Sequence, residues 1–259
     1  MTDIVLIERV GSSAIVRMNR PHKHNALSRE LFAALDANLA TLDADAEIRG
    51  IVITGTDKVF STGGDLQEAL AIRSVEDTRK WLDLFAQVNE RIESIGKPVI
   101  AAIHGYCATG GLEMALACDI RVAASTAQFG ITSSRIGTVA GAGGTQRLVR
   151  LIGPEWTKEL LFSGDFIDAD TALRIRLVSE VVAAERVIPR ALERLESYAR
   201  RAPLGVRYAK AVVNNGINMP LEYALAYERQ ITTTLFTTED RKEGQAAFLE
   251  KRSPNFKGE

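Results

Sequence analysis

The sequence predicts an α/β fold, and three observations carry the prediction. First, short apolar runs bounded by turn residues recur through the first two thirds of the chain, as in GIVITG at 50–55 and VIAAI at 99–103. Second, glycine clusters recur ahead of helix-forming stretches, at Gly63-Gly64, Gly110-Gly111 and Gly143-Gly144. Third, repetition of strand, turn and helix in that order is the signature of βαβ-type construction. Beyond about Pro154 strand signals fade, except over Leu177–Val182, and helical patterns dominate. The reading is an α/β core over 1–190 followed by an α-helical region over 191–259 that serves oligomerisation.

The elements follow in order. Ile4–Val10 and Ala14–Met18 are rich in Val and Ile, with Gly11-Ser12-Ser13 between them, and read as a hairpin. After the loop NRPHKHNALS, Ser28 is a helix N-cap, and Leu31, Phe32, Leu35, Leu39 and Leu42 recur at helical spacing. Asp65 caps a short helix, and Ser74 with Asp77 opens a long one carrying Trp81, Leu82, Phe85, Val88 and Ile92 on one face. Ile120–Ala123 and Ala127–Gly130 read as strands, and Leu148–Ile152 as the start of a helical run. Helical patterns then cover 156–162, 169–175, 186–200, 204–213, 221–235 and 240–251, with Pro203 and Pro220 at helix N-termini.

Composition narrows the function classes. At 259 residues, with 46% apolar and 25% charged residues, the chain is an ordinary globular protein with room for one large domain and an appendage. The net charge of −1 gives no polyanion-binding footprint over the whole molecule. No apolar run approaches the ~20 residues of a membrane helix, and the N-terminus lacks signal-peptide design, so a cytoplasmic location is expected. Cys107 and Cys118 read as buried free thiols. His22 and His24 read as solvated loop residues, and no metal-ligand spacing is present.

Chemistry concentrates at KPVIAAIHGYCATGGLEMALACDI, Lys97–Ile120. A buried strand, a glycine turn and an apolar helix follow in close order. The first N–H groups of that helix have no intrahelical partner and carry the positive end of its dipole. Glu113 lies in the first turn among apolar neighbours. The stretch therefore offers donors for a negative oxygen and a carboxylate for proton transfer, although a carboxylate there is also good capping chemistry. The glycines at 141–144 are no dinucleotide fingerprint, because Gln146 stands where that motif wants Gly or Ala.

Five segments in this order resemble the crotonase superfamily, the enoyl-CoA hydratase/isomerase fold: NRPHKHNALS, KVFSTGGDL, the Lys97–Ile120 stretch, AQFGITSSRIGTVAGAGGTQRL and DRKEGQAAFLEKRSPNF. The resemblance covers essentially the whole chain. It implies a spiral of repeated ββα units with an α-helical C-terminal region, assembled as trimers or dimers of trimers. It implies an acyl-CoA thioester substrate, with coenzyme A as part of the substrate and no separate cofactor. It places an oxyanion hole on the N–H groups of Gly64 and Gly110 and a catalytic acid on Glu113. The second glutamate of the two-acid hydratases falls on Ser133, whose hydroxyl is a poor acid or base without activation.

By position, the resemblance puts Lys23, Ala26, Gly63, Asp65 and Leu66 against the substrate on one side. Gly111, Thr132 and Arg135 fall on the other. Arg20 and Lys23, with Lys251, Arg252 and Lys257 of the tail, are the basic groups available to the coenzyme's phosphates, and Arg135 is available to a second substrate carboxylate. The leading expectation is hydration and dehydration of a 2-enoyl-CoA. Isomerisation, decarboxylation of malonyl-type thioesters and acyl-chain cleavage are alternatives within the superfamily. A catalytically weak CoA- or RNA-binding protein is the alternative of another class, although the near-neutral charge disfavours nucleic acid.

Overall fold

The computed structural model describes residues 3–259. The chain opens with β1 (Val5–Val10) and β2 (Ser13–Met18), an antiparallel hairpin with Val5 opposite Met18. A loop and the helix α1 (Arg29–Ala44) lead to β3 (Gly50–Thr54). Ser28 Oγ accepts from Leu31 N at 3.2 Å and caps α1 as expected. Such a cap contributes about 1 kcal/mol.

Three repeats then follow, each sending one strand to a large sheet and the next to a small one. β3 is followed by β4 (Val59–Ser61), α2 (Leu66–Leu70) and α3 (Val75–Ser94). β5 (Val99–Ile103) is followed by β6 (Tyr106–Ala108) and α4 (Gly110–Ala117), and β7 (Ile120–Ala124) by β8 (Gln128–Gly130) and α5 (Gly144–Ser163). After β9 (Ile167–Asp168) and α6 (Ala169–Arg174) comes β10 (Glu180–Val182). The six-stranded sheet has the order β1-β2-β3-β5-β7-β10, and the four-stranded sheet β4-β6-β8-β9. β3, β5 and β7 pair in parallel, as do β4, β6 and β8, which is the pattern of a ββα spiral.

β3 and β5 are buried throughout, which explains their unbroken apolar sequences. β4, β6 and β9 escape the sequence reading, because two or three residues beside turns are too few to show a period. β4 carries an irregularity: Val59 lies opposite Tyr106, but Ser61 lies opposite Cys107, so β4 holds one extra residue at Phe60. The two runs expected within 148–162 are one helix to a first approximation, but Gly153 breaks it with φ 77° and ψ 169° just before Pro154. Cys107 and Cys118 are buried and free, and burial pushes the Cys118 thiol up to about 12.

α3 turns Trp81, Phe85, Val88 and Ile92 into the core, where Trp81 and Phe85 meet Phe32 in edge-to-face contacts. Leu82, expected on the same face, is instead 38% exposed, because it stands at the rim of a cleft and not over the sheet.

The boundary expected near residue 190 falls inside α7 (Val187–Ala199), whose Val187, Ala191 and Leu195 are buried against β3, β5 and β7. The appended region accordingly begins at α8 (Pro203–Gly216) and continues through α9 (Leu221–Leu235) and α10 (Glu239–Glu250). Neither α8 nor α9 has a buried residue. Val213, Ile217, Leu221, Tyr223, Phe248 and Leu249 all lie open to solvent. Among the described residues no helix is long and apolar enough to cross a membrane.

Candidate active site

The glycine turns after β4 and β6 meet at one cleft of about 600 Å³. Its lining includes Gly64, Gly110, Glu113, Thr132 and Ser133, so residues from three successive repeats converge. The parallel pairing of β4, β6 and β8 causes this, because it delivers the three following turns to the same edge of the small sheet.

The first turn is held by the early loop. Asn25 is fully buried, and its amide donates to Phe60 O at 3.1 Å. Ser61 Oγ donates to Asn25 O at 2.8 Å and accepts from Gly63 N at 3.2 Å. Leu27 N donates to Gly63 O and Asp65 N to Leu27 O, at 2.8 and 3.0 Å. Gly63 and Gly64 are thus braced on both sides, while the Gly64 N–H has no hydrogen-bond partner among the described residues. Gly110 is the first residue of α4, where an N–H has no intrahelical acceptor, and it too has no partner. The two turns touch: a Cβ on Gly110 would lie 3.4 Å from Gly64 N and 2.6 Å from Phe85 Cε1. Glycine at 110 thus leaves bare backbone donors beside an aromatic wall, as an oxyanion hole requires.

Glu113 is only 3% exposed. Its Oε1 accepts from Ala142 N and Gly144 N, each at 2.8 Å. Its Oε2 makes no hydrogen bond among the described residues and is the oxygen left for a ligand. Burial raises its pKa above the ordinary 4.5, and the two backbone bonds and the Arg147 guanidinium oppose that rise in part. Arg147 Nη1 donates to Ala142 O at 3.0 Å, while its Nε and Nη2 hold Glu93 at 2.7 and 2.9 Å. The third glycine cluster therefore serves the carboxylate, a role its sequence does not reveal. A carboxylate with one oxygen fixed and its pKa raised is suited to taking and returning a proton.

Ser133 is buried in the wall of the same cleft, and its hydroxyl makes no hydrogen bond among the described residues. Among the described residues Glu113 and Asp65 are the two carboxylates that line the cleft, and Asp65 is committed. Its Oδ1 caps α2 through Gln67 N at 2.9 Å, and its Oδ2 holds Arg20 Nη1 at 2.7 Å. The Arg20 contact and the cap bonds outweigh burial and keep its pKa below the ordinary 3.8. Asp65 thus lines the cleft as a structural residue, and Arg20, which also donates to Ala26 O, is not free for phosphate.

Lys23, Ala26, Leu66 and Thr132 line the cleft. Lys23 Nζ is exposed and rests on Gln67 Oε1 at 2.9 Å. Gly63 and Gly111 do not line it. A Cβ on Gly111 would strike Ser61 O at 2.5 Å, so that glycine lets α4 pack on β4. Arg135 also lies outside the lining and pairs with Asp165, which removes it as a partner for a substrate carboxylate. Arg252 of the tail is held by Glu243 and Glu250 and is likewise occupied. The sequence reading missed Asn25, Ser61, Thr109 and the Ala142–Gly144 backbone. It also missed Trp81 and Phe85 as cleft walls, since their helical spacing signals burial alone.

The fold and the cleft together are those of an α/β enzyme built as a ββα spiral, and the comparisons name its family. The enoyl-CoA hydratase/isomerase family matches residues 8–259. The chain is 38% identical to the short-chain-enoyl-CoA hydratase of Clostridium acetobutylicum, covering 96% of this chain and 95% of that one. It is 37% identical to the 2,3-dehydroadipyl-CoA hydratase of Escherichia coli, covering 98% of both. Its structure resembles that of an enoyl-CoA hydratase from Bacillus anthracis, with a TM-score of 0.95 at 37% identity over 99% of this chain and all of that one. The chain belongs to the enoyl-CoA hydratase/isomerase family of the crotonase superfamily.

Proposed function

We propose that the protein adds water reversibly across the double bond of a 2-enoyl-CoA thioester, with Glu113 as its sole proton-transferring carboxylate. The observation that supports this is the placement of Glu113. One oxygen is fixed by two backbone donors, and the other is unclaimed in a cleft that holds the free N–H groups of Gly64 and Gly110. The thioester oxygen lies between those two donors. Glu113 Oε2 takes a proton from water as the water oxygen bonds to the β-carbon. The π electrons move onto the thioester oxygen, giving an enolate that the two N–H groups stabilise. Removing one such donor costs about 3–4 kcal/mol of barrier. Glu113 then returns the proton to the α-carbon, and the enolate collapses. Ser133 supplies a neutral hydrogen bond to the water.

The same hole and single acid also suit migration of a double bond from the 3- to the 2-position, and Ser133 is the observation that favours this second reading. Turnover on 2-enoyl-, 3-enoyl- and malonyl-type thioesters, for wild type and Glu113→Gln, separates the readings. The hydration reading expects enoyl-thioester absorbance to fall on water addition in wild type and not in the variant. Hydration that survives Glu113→Gln overturns it. No cofactor beyond the substrate's coenzyme A moiety is part of the proposal. A trimer or hexamer and a cytoplasmic setting belong to it as well.

A further inference from the structure

Thr109 precedes Gly110 and is the N-cap of α4, yet it makes no side-chain capping bond. Its backbone sits at φ 47° and ψ −115°, a region β-branched residues rarely occupy. Four tethers hold it there. Its N–H donates to Gly130 O at 2.8 Å, and its C=O accepts from Glu113 N at 2.8 Å. Its hydroxyl lies 2.9 Å from the Thr132 hydroxyl and accepts from Thr132 N at 3.1 Å. Thr109 therefore ties the start of α4 to the strand and turn that carry Ser133.

The peptide joining Thr109 to Gly110 has two ends. Its C=O faces into α4 and is occupied by Glu113 N. Because the peptide is planar and trans, its N–H, which is the Gly110 donor, points the opposite way. The ψ of Thr109 sets the rotation of this plane, and thus the aim of the donor. We propose that Thr109 is a positioning residue. Its hydroxyl clamp on Thr132 holds the left-handed backbone that aims the Gly110 N–H at an enolate oxygen. The proposal rests on the oxyanion-hole reading above. It explains why strain is kept at this position: the clamp supplies what a relaxed turn would not, a fixed dihedral next to the donor.

The test uses acetoacetyl-CoA, which ionises to an enolate with its own ultraviolet absorbance, against butyryl-CoA, which does not. Wild type is expected to bind acetoacetyl-CoA with an enolate absorbance band. Thr109→Val, which keeps the branched shape and loses the hydroxyl, is expected to weaken that binding about tenfold or more, as is Thr109→Gly, which also removes the strain. Butyryl-CoA affinity is expected to stay within about twofold, and Thr109→Ser to restore enolate binding to within about threefold of wild type. Urea melts are expected to show Thr109→Gly at least as stable as wild type, which separates aim from folding. Unchanged enolate affinity in the Val and Gly variants overturns the proposal. So does an equal loss for both ligands, which would mark a general structural role. A wild type that gives no enolate band removes the oxyanion-hole reading itself, and this proposal with it. If Thr109→Val does not fold, the contrast between Thr109→Ser and Thr109→Gly carries the same decision.

Discussion

Phe85 occupies the space that a side chain on Gly110 would need. A Cβ there would lie 2.6 Å from Phe85 Cε1, closer than real Cβ contacts allow. The ring cannot swing away freely, because it packs against Phe32 and Trp81 with centroid separations of 4.5 and 5.5 Å. A Cβ on Gly64 would meet the same wall at 3.2 Å. The aromatic cluster thus fixes one side of both donors.

Gly110→Ala should therefore displace α4's first turn and lower kcat by roughly 10²-fold, the effect of losing one oxyanion donor. Gly64→Ala, with the looser contact, should retain more activity. Steady-state kinetics beside circular dichroism checks the order. Equal, wild-type kcat in both variants would remove Phe85 as the constraint.

Glu113 makes a prediction with a definite sign. Its folded pKa lies above the ordinary 4.5. Between 4.5 and the raised value the folded protein holds a proton that the unfolded chain has lost, so Glu113's contribution to stability falls as pH rises through that window. Glu113→Gln should be more stable than wild type at neutral pH, and the gap should close near pH 4. Thermal melts across pH test this. The acid limb of kcat/KM should likewise lie above 4.5. Arg147→Gln should move it higher still, because the guanidinium favours the ionised carboxylate. A limb that stays put in Arg147→Gln would show that the guanidinium only braces Ala142.

Much of this site is legible in the sequence, for local reasons. Ser28, Asp65 and Ser74 announce helix starts because capping acts within three residues. Glu113 stands out as an acid in an apolar first turn. What stays hidden is set by distant partners. Arg20 reads as a cation for phosphate until Asp65, far along the chain, claims it. Arg135 reads as a cation for a second substrate carboxylate until Asp165 claims it. The Ala142 and Gly144 N–H groups become carboxylate donors only because α5 returns to α4, and no residue type encodes that. Leu82 has the spacing of its buried neighbours, but the cleft opens beneath it.

Ser133 offers the sharpest test of the reaction. Ser133→Ala should lower hydration by no more than about tenfold, since a neutral hydrogen bond contributes roughly 0.5–1.5 kcal/mol. Ser133→Glu places a second carboxylate in the wall and should raise crotonyl-CoA hydration if the reaction lacks only that acid. A fall in hydration with the natural substrate class unchanged would favour double-bond migration. Arg135 should not quench the new charge, since it is held by Asp165 outside the cleft.

The apolar residues exposed on α8, α9 and α10 are expected to be covered by other copies of the chain. Val213 and Ile217 are each 65% exposed, and Phe248 is 84% exposed. Sedimentation at micromolar concentration should give a trimer or hexamer. Val213→Asp with Ile217→Asp should dissociate it. A stable wild-type monomer would overturn the expectation.

The extra residue at Phe60 has a consequence in register. Before it, β4 and β6 run level at Val59 and Tyr106; after it, Ser61 is level with Cys107. Gly64 follows Ser61 by the same number of residues as Gly110 follows Cys107, so the irregularity takes Phe60 out of register and leaves the two donors abreast. Pairing Phe60 itself with Cys107 would straighten the ladder and slide one donor past the other by about 3.3 Å, the rise of one strand residue. That step is as long as the hydrogen bond the hole must make. The geometry of the cleft is therefore indexed to the register of a three-residue strand, and a slip there acts on chemistry even where every side chain of the cleft is kept.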